Sequence, residues 1–169
     1  MKSILKALCL CFLVLAGQAL AANPQTGTSG LPLPRFVSLK SDRVNVRQGA
    51  SRDHQVAWTF TRAGLPVEIT AEFENWRRIR DSEGAVGWVQ QGLLSGRRTA
   101  LVAPWDKGQV FELRARANAS SDIRAHVEAG VLVSLKACDG SWCRLVAGDV
   151  EGWMPQDKLW GVYPNEKVD

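Results

Sequence analysis

Trp76-Arg77-Arg78-Ile79 and Trp142-Cys143-Arg144-Leu145 are two instances of one pattern, tryptophan then x-Arg-aliphatic, and they stand 66 residues apart. Working upstream at the same spacing, Ala63-Gly64-Leu65-Pro66-Val67 lies over Ala129-Gly130-Val131-Leu132-Val133. Farther upstream, Val44-Asn45-Val46-Arg47-Gln48-Gly49-Ala50-Ser51 reads over Leu113-Arg114-Ala115-Arg116-Ala117-Asn118-Ala119-Ser120 at an offset of 69. Downstream, Gly87-Trp88 falls on Gly152-Trp153 and Leu94 on Leu159. The order of matches is kept, and the offset changes only where loops are expected, which is the signature of an internal repeat.

Each copy has a strand pattern. Val67-Glu68-Ile69-Thr70 and Trp76-Arg77-Arg78-Ile79 alternate or nearly alternate apolar and polar residues around a turn region at 72–75, and Val131 to Leu135 with Trp142 to Leu145 do the same around Asp139-Gly140-Ser141. No helical period is sustained. Helix is expected only as short turns, at Gln90 to Leu94 and Pro155 to Leu159. The fold class that follows is all-β: two small barrels, 36–98 and 107–164, with a linker at 99–106 and a tail at 165–169.

The first 21 residues read as an export signal, with Lys2 and Lys6 ahead of an apolar stretch and Ala19-Leu20-Ala21 as the cleavage site, cut after Ala21. The apolar run from Ala7 to Gly17 is too short for a helix to cross ~30 Å of hydrocarbon, so the product is expected to be periplasmic or secreted and not membrane-spanning. Residues 22–35, with three prolines and two glycines among polar residues, read as a flexible leader. Removing Lys2 and Lys6 leaves nineteen basic against seventeen acidic residues, too even a balance for a nucleic-acid partner. Cys9 and Cys11 leave with the signal, and Cys138 and Cys143, flanking Asp-Gly turn chemistry in an oxidising compartment, are expected to form a disulfide.

On these residues the chain resembles the bacterial SH3 (SH3b) family: an apolar-x-apolar-Arg strand with a small-residue loop, a glycine before the second strand, Trp-x-Arg-aliphatic, and a closing Gly-Trp-aliphatic strand, all present twice. The resemblance implies a small twisted barrel in each half and an extracytoplasmic binding or targeting role without intrinsic catalysis, toward cell-wall material or partner proteins. The second copy departs from the pattern at Ala115, where an inner valine is usual, and at Asn118, where a glycine is usual. The only tyrosine is Tyr163, so a tyrosine-lined polyproline groove of the eukaryotic SH3 type is not supported.

Catalysis needs a nucleophile or paired acid-base groups held together. The mature cysteines lie in one short hairpin, and His54 and His126 are expected in solvated loops, so no catalytic, metal or cofactor site is expected. Seven tryptophans against one tyrosine suggest aromatic contacts to a ligand. The candidate surface is Trp76, Arg78 and Trp88 with their repeat partners Trp142, Arg144 and Trp153, although packing shared by both barrels also accounts for these tryptophans. Trp58, Trp105 and Trp160 have no tryptophan in the other copy, and Trp105 is expected to wedge the barrels together. Arg77, Arg78, Arg80, Arg97 and Arg98 make the first barrel locally basic. The expected partner is peptidoglycan or an envelope protein. The alternatives are an envelope-stress accessory protein acting only by association and, third, a cell-wall hydrolase.

Overall fold

The computed structural model describes residues 25–169; the expected signal peptide and cleavage point, with Cys9 and Cys11, lie outside the described residues. The strands are β1 (Gln25–Thr26), β2 (Pro32–Leu33), β3 (Arg35–Leu39), β4 (Val44–Arg47), β5 (Val56–Phe60), β6 (Pro66–Phe73), β7 (Trp76–Arg80), β8 (Val86–Gln90) and β9 (Leu94–Ser95). There follow β10 (Thr99–Val102), β11 (Val110–Arg114), β12 (Ile123–Glu128), β13 (Leu132–Asp139), β14 (Trp142–Ala147), β15 (Val150–Pro155), β16 (Leu159–Trp160) and β17 (Lys167–Val168). The expected helical turns are single 3-10 turns, Gln91–Leu93 and Gln156–Lys158.

Two antiparallel sheets share one strand order. The first runs β5-β4-β8-β7-β6-β3-β9 and the second β12-β11-β15-β14-β13-β10-β16, with β17 added on β13. Alternating inward residues give each its own core: Leu39, Val44, Val46, Val67, Ile69, Ile79 and Val89 in the first, and Val102, Leu113, Val133, Leu145, Met154 and Leu159 among others in the second. In the hairpin β13–β14, Asp139 Oδ1 accepts the backbone N–H groups of Ser141 and Trp142, both at 2.8 Å; these bonds hold its carboxyl below the usual range. Cys138 and Cys143 pair across the ladder and are joined by the expected disulfide.

The repeat holds, but its first strand sits in a different register from the sequence reading. Arg47 pairs with Trp88 and Arg114 with Trp153, and each sheet carries a bulge just before that arginine. Val44–Arg47 therefore corresponds to Phe111–Arg114, two residues upstream of the stretch matched by sequence. A slip of two keeps every side chain on its own face, and Leu113-Arg114-Ala115-Arg116 offers the apolar-Arg pair twice. The inner residue of the second copy is thus the fully buried Leu113, not Ala115. The glycines before Trp88 and Trp153 are explained by the same crossing: a Cβ on Gly87 would stand 3.0 Å from Arg47 O, and one on Gly152 2.8 Å from Arg114 O.

Three expectations about connections are corrected. Residues 22–35 were expected to be a flexible leader, but β1 and β2 form a hairpin closed by Gly27 N–H to Leu31 O at 2.9 Å. Glu72 fastens it, accepting from Ser29 N and Ser29 Oγ at 2.8 Å, Thr28 Oγ1 at 3.1 Å and Arg35 Nη2 at 2.7 Å. The expected linker 99–106 begins as β10, whose four residues are all buried and which pairs with β13 and β16. The tail at 165–169 is tied down through β17, Val168 opposite Cys138. His126, expected in a loop, is exposed on β12 opposite Glu112, while His54 is exposed in a loop as expected.

With no loose linker, the barrels meet along a seam that Trp105 does not enter. Phe36 packs edge-on against Trp160, ring centroids 5.2 Å apart, and against Tyr163 at 4.7 Å. The Arg80 guanidinium lies 5.3 Å from the Trp160 ring. Tyr163 Oη donates to Glu68 Oε1 at 3.0 Å and Thr99 Oγ1 donates to Gly64 O at 2.7 Å. Trp105 stands 53% exposed in the loop after β10. That loop takes eight residues from Val102 to Phe111, against four from Leu39 to Val44, so the wedge role passes to Trp160.

Candidate functional site: a groove present in both barrels

Each barrel has a groove between the start of its first hairpin, the loop after it, the Trp-x-Arg strand and the 3-10 turn. In the first barrel it is lined by Arg43, Asn45, Arg47, Arg52, Trp76, Gln90 and Leu93, with a volume of ≈ 250 Å³. In the second it has a volume of ≈ 390 Å³ and is lined by Val110, Glu112, Arg114, Ala119, Trp142, Pro155 and Lys158, with Phe111 and Met154 added. In the structural register these seven positions correspond one to one. Arg47/Arg114 and Trp76/Trp142 are kept, while the other five positions change chemistry.

The first groove is cationic. None of Arg43, Arg47 and Arg52 meets a carboxylate among the described residues; Arg47 Nη1 is steadied by the His54 carbonyl at 2.6 Å. The second groove is nearly neutralised, because Glu112 pairs with Arg114, whose Nη1 also donates to Ser121 O at 2.6 Å. Its walls are more apolar, with Val110, Phe111, Met154 and Pro155 around Trp142. Guanidinium groups present forked donors that fit carboxylate or phosphate oxygens, whereas an apolar groove with one indole holds aliphatic or ring surface.

The six residues singled out by sequence divide. Trp76, 7% exposed, and the half-buried Trp142 line the grooves. Arg78 with Trp88 and Arg144 with Trp153 face each other across their ladders, one same-face step along from Trp76 and Trp142. They share that outer face without lining the groove. The basic run is mostly engaged within the protein: Arg77 reaches Glu72 and Gln91, Arg80 pairs with Glu68 at 2.7 Å, and Arg98 with Glu166 at 2.7 Å. The groove arginines were missed because they are scattered along a strand and two loops. The one signal for them was Arg47, fixed within the repeated motif.

The family model described as Bacterial SH3 domain matches residues 40–96 and again residues 107–161. The chain belongs to the bacterial SH3 domain family. No curated protein matches it. Solved structures similar to it include NlpC2 and NlpC1 from Trichomonas vaginalis, each 14% identical with a TM-score of 0.35 over 75% and 80% of this chain. The chain spans 48% of each of those two, about half their length. Bacterial SH3 domains are binding modules, and both copies here keep the arginine and the tryptophan of the groove. Among the described residues no helix is long and apolar enough to cross a membrane.

Proposed function

We propose that this is an exported, non-catalytic binding protein that uses its two grooves to hold cell-wall peptidoglycan. The first groove takes carboxylates of the stem peptide, and the second takes uncharged peptide or glycan surface. The observation that carries this reading is the one-to-one match of the groove positions, with cationic chemistry in one copy and apolar chemistry in the other. Two linked modules of different preference raise the effective concentration of the second contact once the first is made. A reading as an adaptor for an acidic envelope protein uses the same grooves and is separated by experiment.

The test is co-sedimentation of the mature protein with purified sacculi, beside capture from envelope extract. Wild type is expected in the pellet, with retention that weakens as salt screens the arginines. The double variant R43E/R52E changes two exposed side chains, so the fold is preserved, and its retention is expected to fall at least about tenfold, the loss of two charged contacts. Wild type left in the supernatant, or retention unaffected by R43E/R52E, contradicts the proposal; capture only from the extract moves the assignment to a protein partner.

A further inference from the structure

Each sheet ends in a strand open on its outer side, β5 in the first barrel and β12 in the second. The two correspond residue for residue: Val56 stands opposite Arg47 as Ile123 does opposite Arg114, and Thr59 opposite Asn45 as His126 does opposite Glu112. An open edge presents backbone N–H and C=O groups with which another chain can pair, and proteins guard such edges with charge. β12 is guarded. Arg124, His126 and Glu128 alternate along it, all exposed, and Arg124 Nη1 reaches across to donate to Glu151 O at 2.9 Å.

β5 has none of these devices. At the positions of Arg124, His126 and Glu128 it offers Ala57, Thr59 and, one step past its end, Thr61, all short and uncharged. Val56, 42% exposed, and the half-buried Trp58 and Phe60 make an apolar row on the opposite face, the two rings edge-on with centroids 6.0 Å apart. No proline or charge interrupts Val56–Phe60, and every residue but Ala57 is β-branched or aromatic, the types that fit a pleated surface. Among the described residues, none of 56–60 makes a backbone bond outside the ladder with β4.

The face beside this edge determines which strand fits it. Thr59 Oγ1 donates to Asn45 Oδ1 at 2.9 Å, so Thr59 shares the face of β4 on which Arg43, Asn45 and Arg47 line the first groove. Neither β4 nor β5 holds a carboxylate. A strand added to β5 lies two strand spacings, about 10 Å, from β4. The short side chains between them keep that step low, so acidic side chains on the added strand and the long arginines reach toward each other across it, and the guanidinium forks match carboxylate oxygens. The alternate side chains of the added strand fall beside Trp58 and Phe60, where aliphatic groups fit. In the second barrel both conditions fail: Arg124 and Glu128 stand on the step, and Arg114 is paired with Glu112.

We propose that β5 is a strand-addition site for an extended segment of a partner protein in which acidic and aliphatic residues alternate. Main-chain hydrogen bonds to β5 supply the affinity, and the arginine face selects the acidic side chains. The site lies on the sheet edge outside the groove and stands whether or not sacculi are bound. The test is titration of the full mature chain with the blocked octapeptide Ac-(Glu-Val)4-NH2, read by backbone amide shifts and amide exchange. Saturable shifts and slowed exchange within residues 56–60 are expected. Ac-(Lys-Val)4-NH2, and the glutamate peptide fully N-methylated so that it has no main-chain donor, are each expected to bind at least about tenfold more weakly. A57R/T61E, which gives β5 the residues β12 carries at those exposed positions and so keeps the fold, is expected to weaken binding of the glutamate peptide by the same factor. Failure of wild type to sediment with sacculi counts against the groove reading alone. The absence of a saturable shift at β5, or equal binding by the lysine peptide, the N-methylated peptide or A57R/T61E, overturns the proposal; so does a concentration-dependent dimer of the free chain that A57R/T61E abolishes, which assigns the edge to a second copy.

Discussion

Glu72 shows how much a single residue can fix in this protein. Its carboxylate is buried, which alone raises its pKa, yet hydrogen bonds from Ser29, Arg35 and Thr28 outweigh burial and hold it at about 2 against an ordinary 4.5. A depressed carboxyl contributes stability that is complete above pH 4.5 and is lost as pH falls toward about 2. The β1–β2 hairpin is therefore expected to detach across that window before the barrels unfold, seen as faster amide exchange at Gly27 and Leu31. E72A, which leaves Arg35 and Arg77 without their carboxylate, is expected to cost roughly 3 kcal/mol in chemical denaturation. Nothing in the sequence singled out Glu72, which reads as a turn residue; its partners lie some forty positions upstream and only the fold collects them. The groove arginines were hidden for a related reason. A run such as Arg77-Arg78 is visible to the eye, but exposure without a carboxylate partner is a property of three-dimensional neighbours.

At the scale of elements, the parts legible in sequence were those with local chemistry. Asp139-Gly140 announced its turn, Trp76 and Trp142 marked equivalent strands, and Cys138 with Cys143 announced their cross-link. The register of β11 was not legible, because strand alternation is blind to a shift of two and the longer Val102–Phe111 loop absorbed the difference. The linker was misread because Thr99-Ala100-Leu101-Val102 is too short for its pattern to distinguish a buried strand from a connector. The hairpin β13–β14 permits a direct check: the disulfide encloses a short loop and contributes about 2 kcal/mol. C138S/C143S is expected to lose that amount in denaturant unfolding while keeping the fold, since the hairpin also carries the Asp139 hydrogen bonds. A fully unfolded double variant would show the second barrel to be far less stable than its core implies.

Over the whole molecule, the seam turns two marginal barrels into one unit. Trp160 fills it from the second barrel, touching Phe36 and Arg80, and W160A is expected to cost about 3 kcal/mol, measured as a lower denaturant midpoint with earlier separation of the barrels. Tyr163 gives the seam a pH signature. Burial, then the Glu68 charge and hydrogen bond, push its phenol well above the ordinary 10.0, so only the protonated form fits. The seam's stability is complete below pH ~10 and declines as pH rises beyond it, and Y163F is expected to flatten that alkaline decline. The central claim concerns what the joined barrels present: one groove kept twice in geometry and changed in chemistry. The most direct measurement is backbone and side-chain shift mapping of the mature protein during titration with a soluble stem-peptide fragment of peptidoglycan. Shifts concentrated at Arg43, Arg47, Arg52 and the Trp76 indole are expected; shifts confined to the Arg78–Trp88 face, or none at saturating ligand, contradict it.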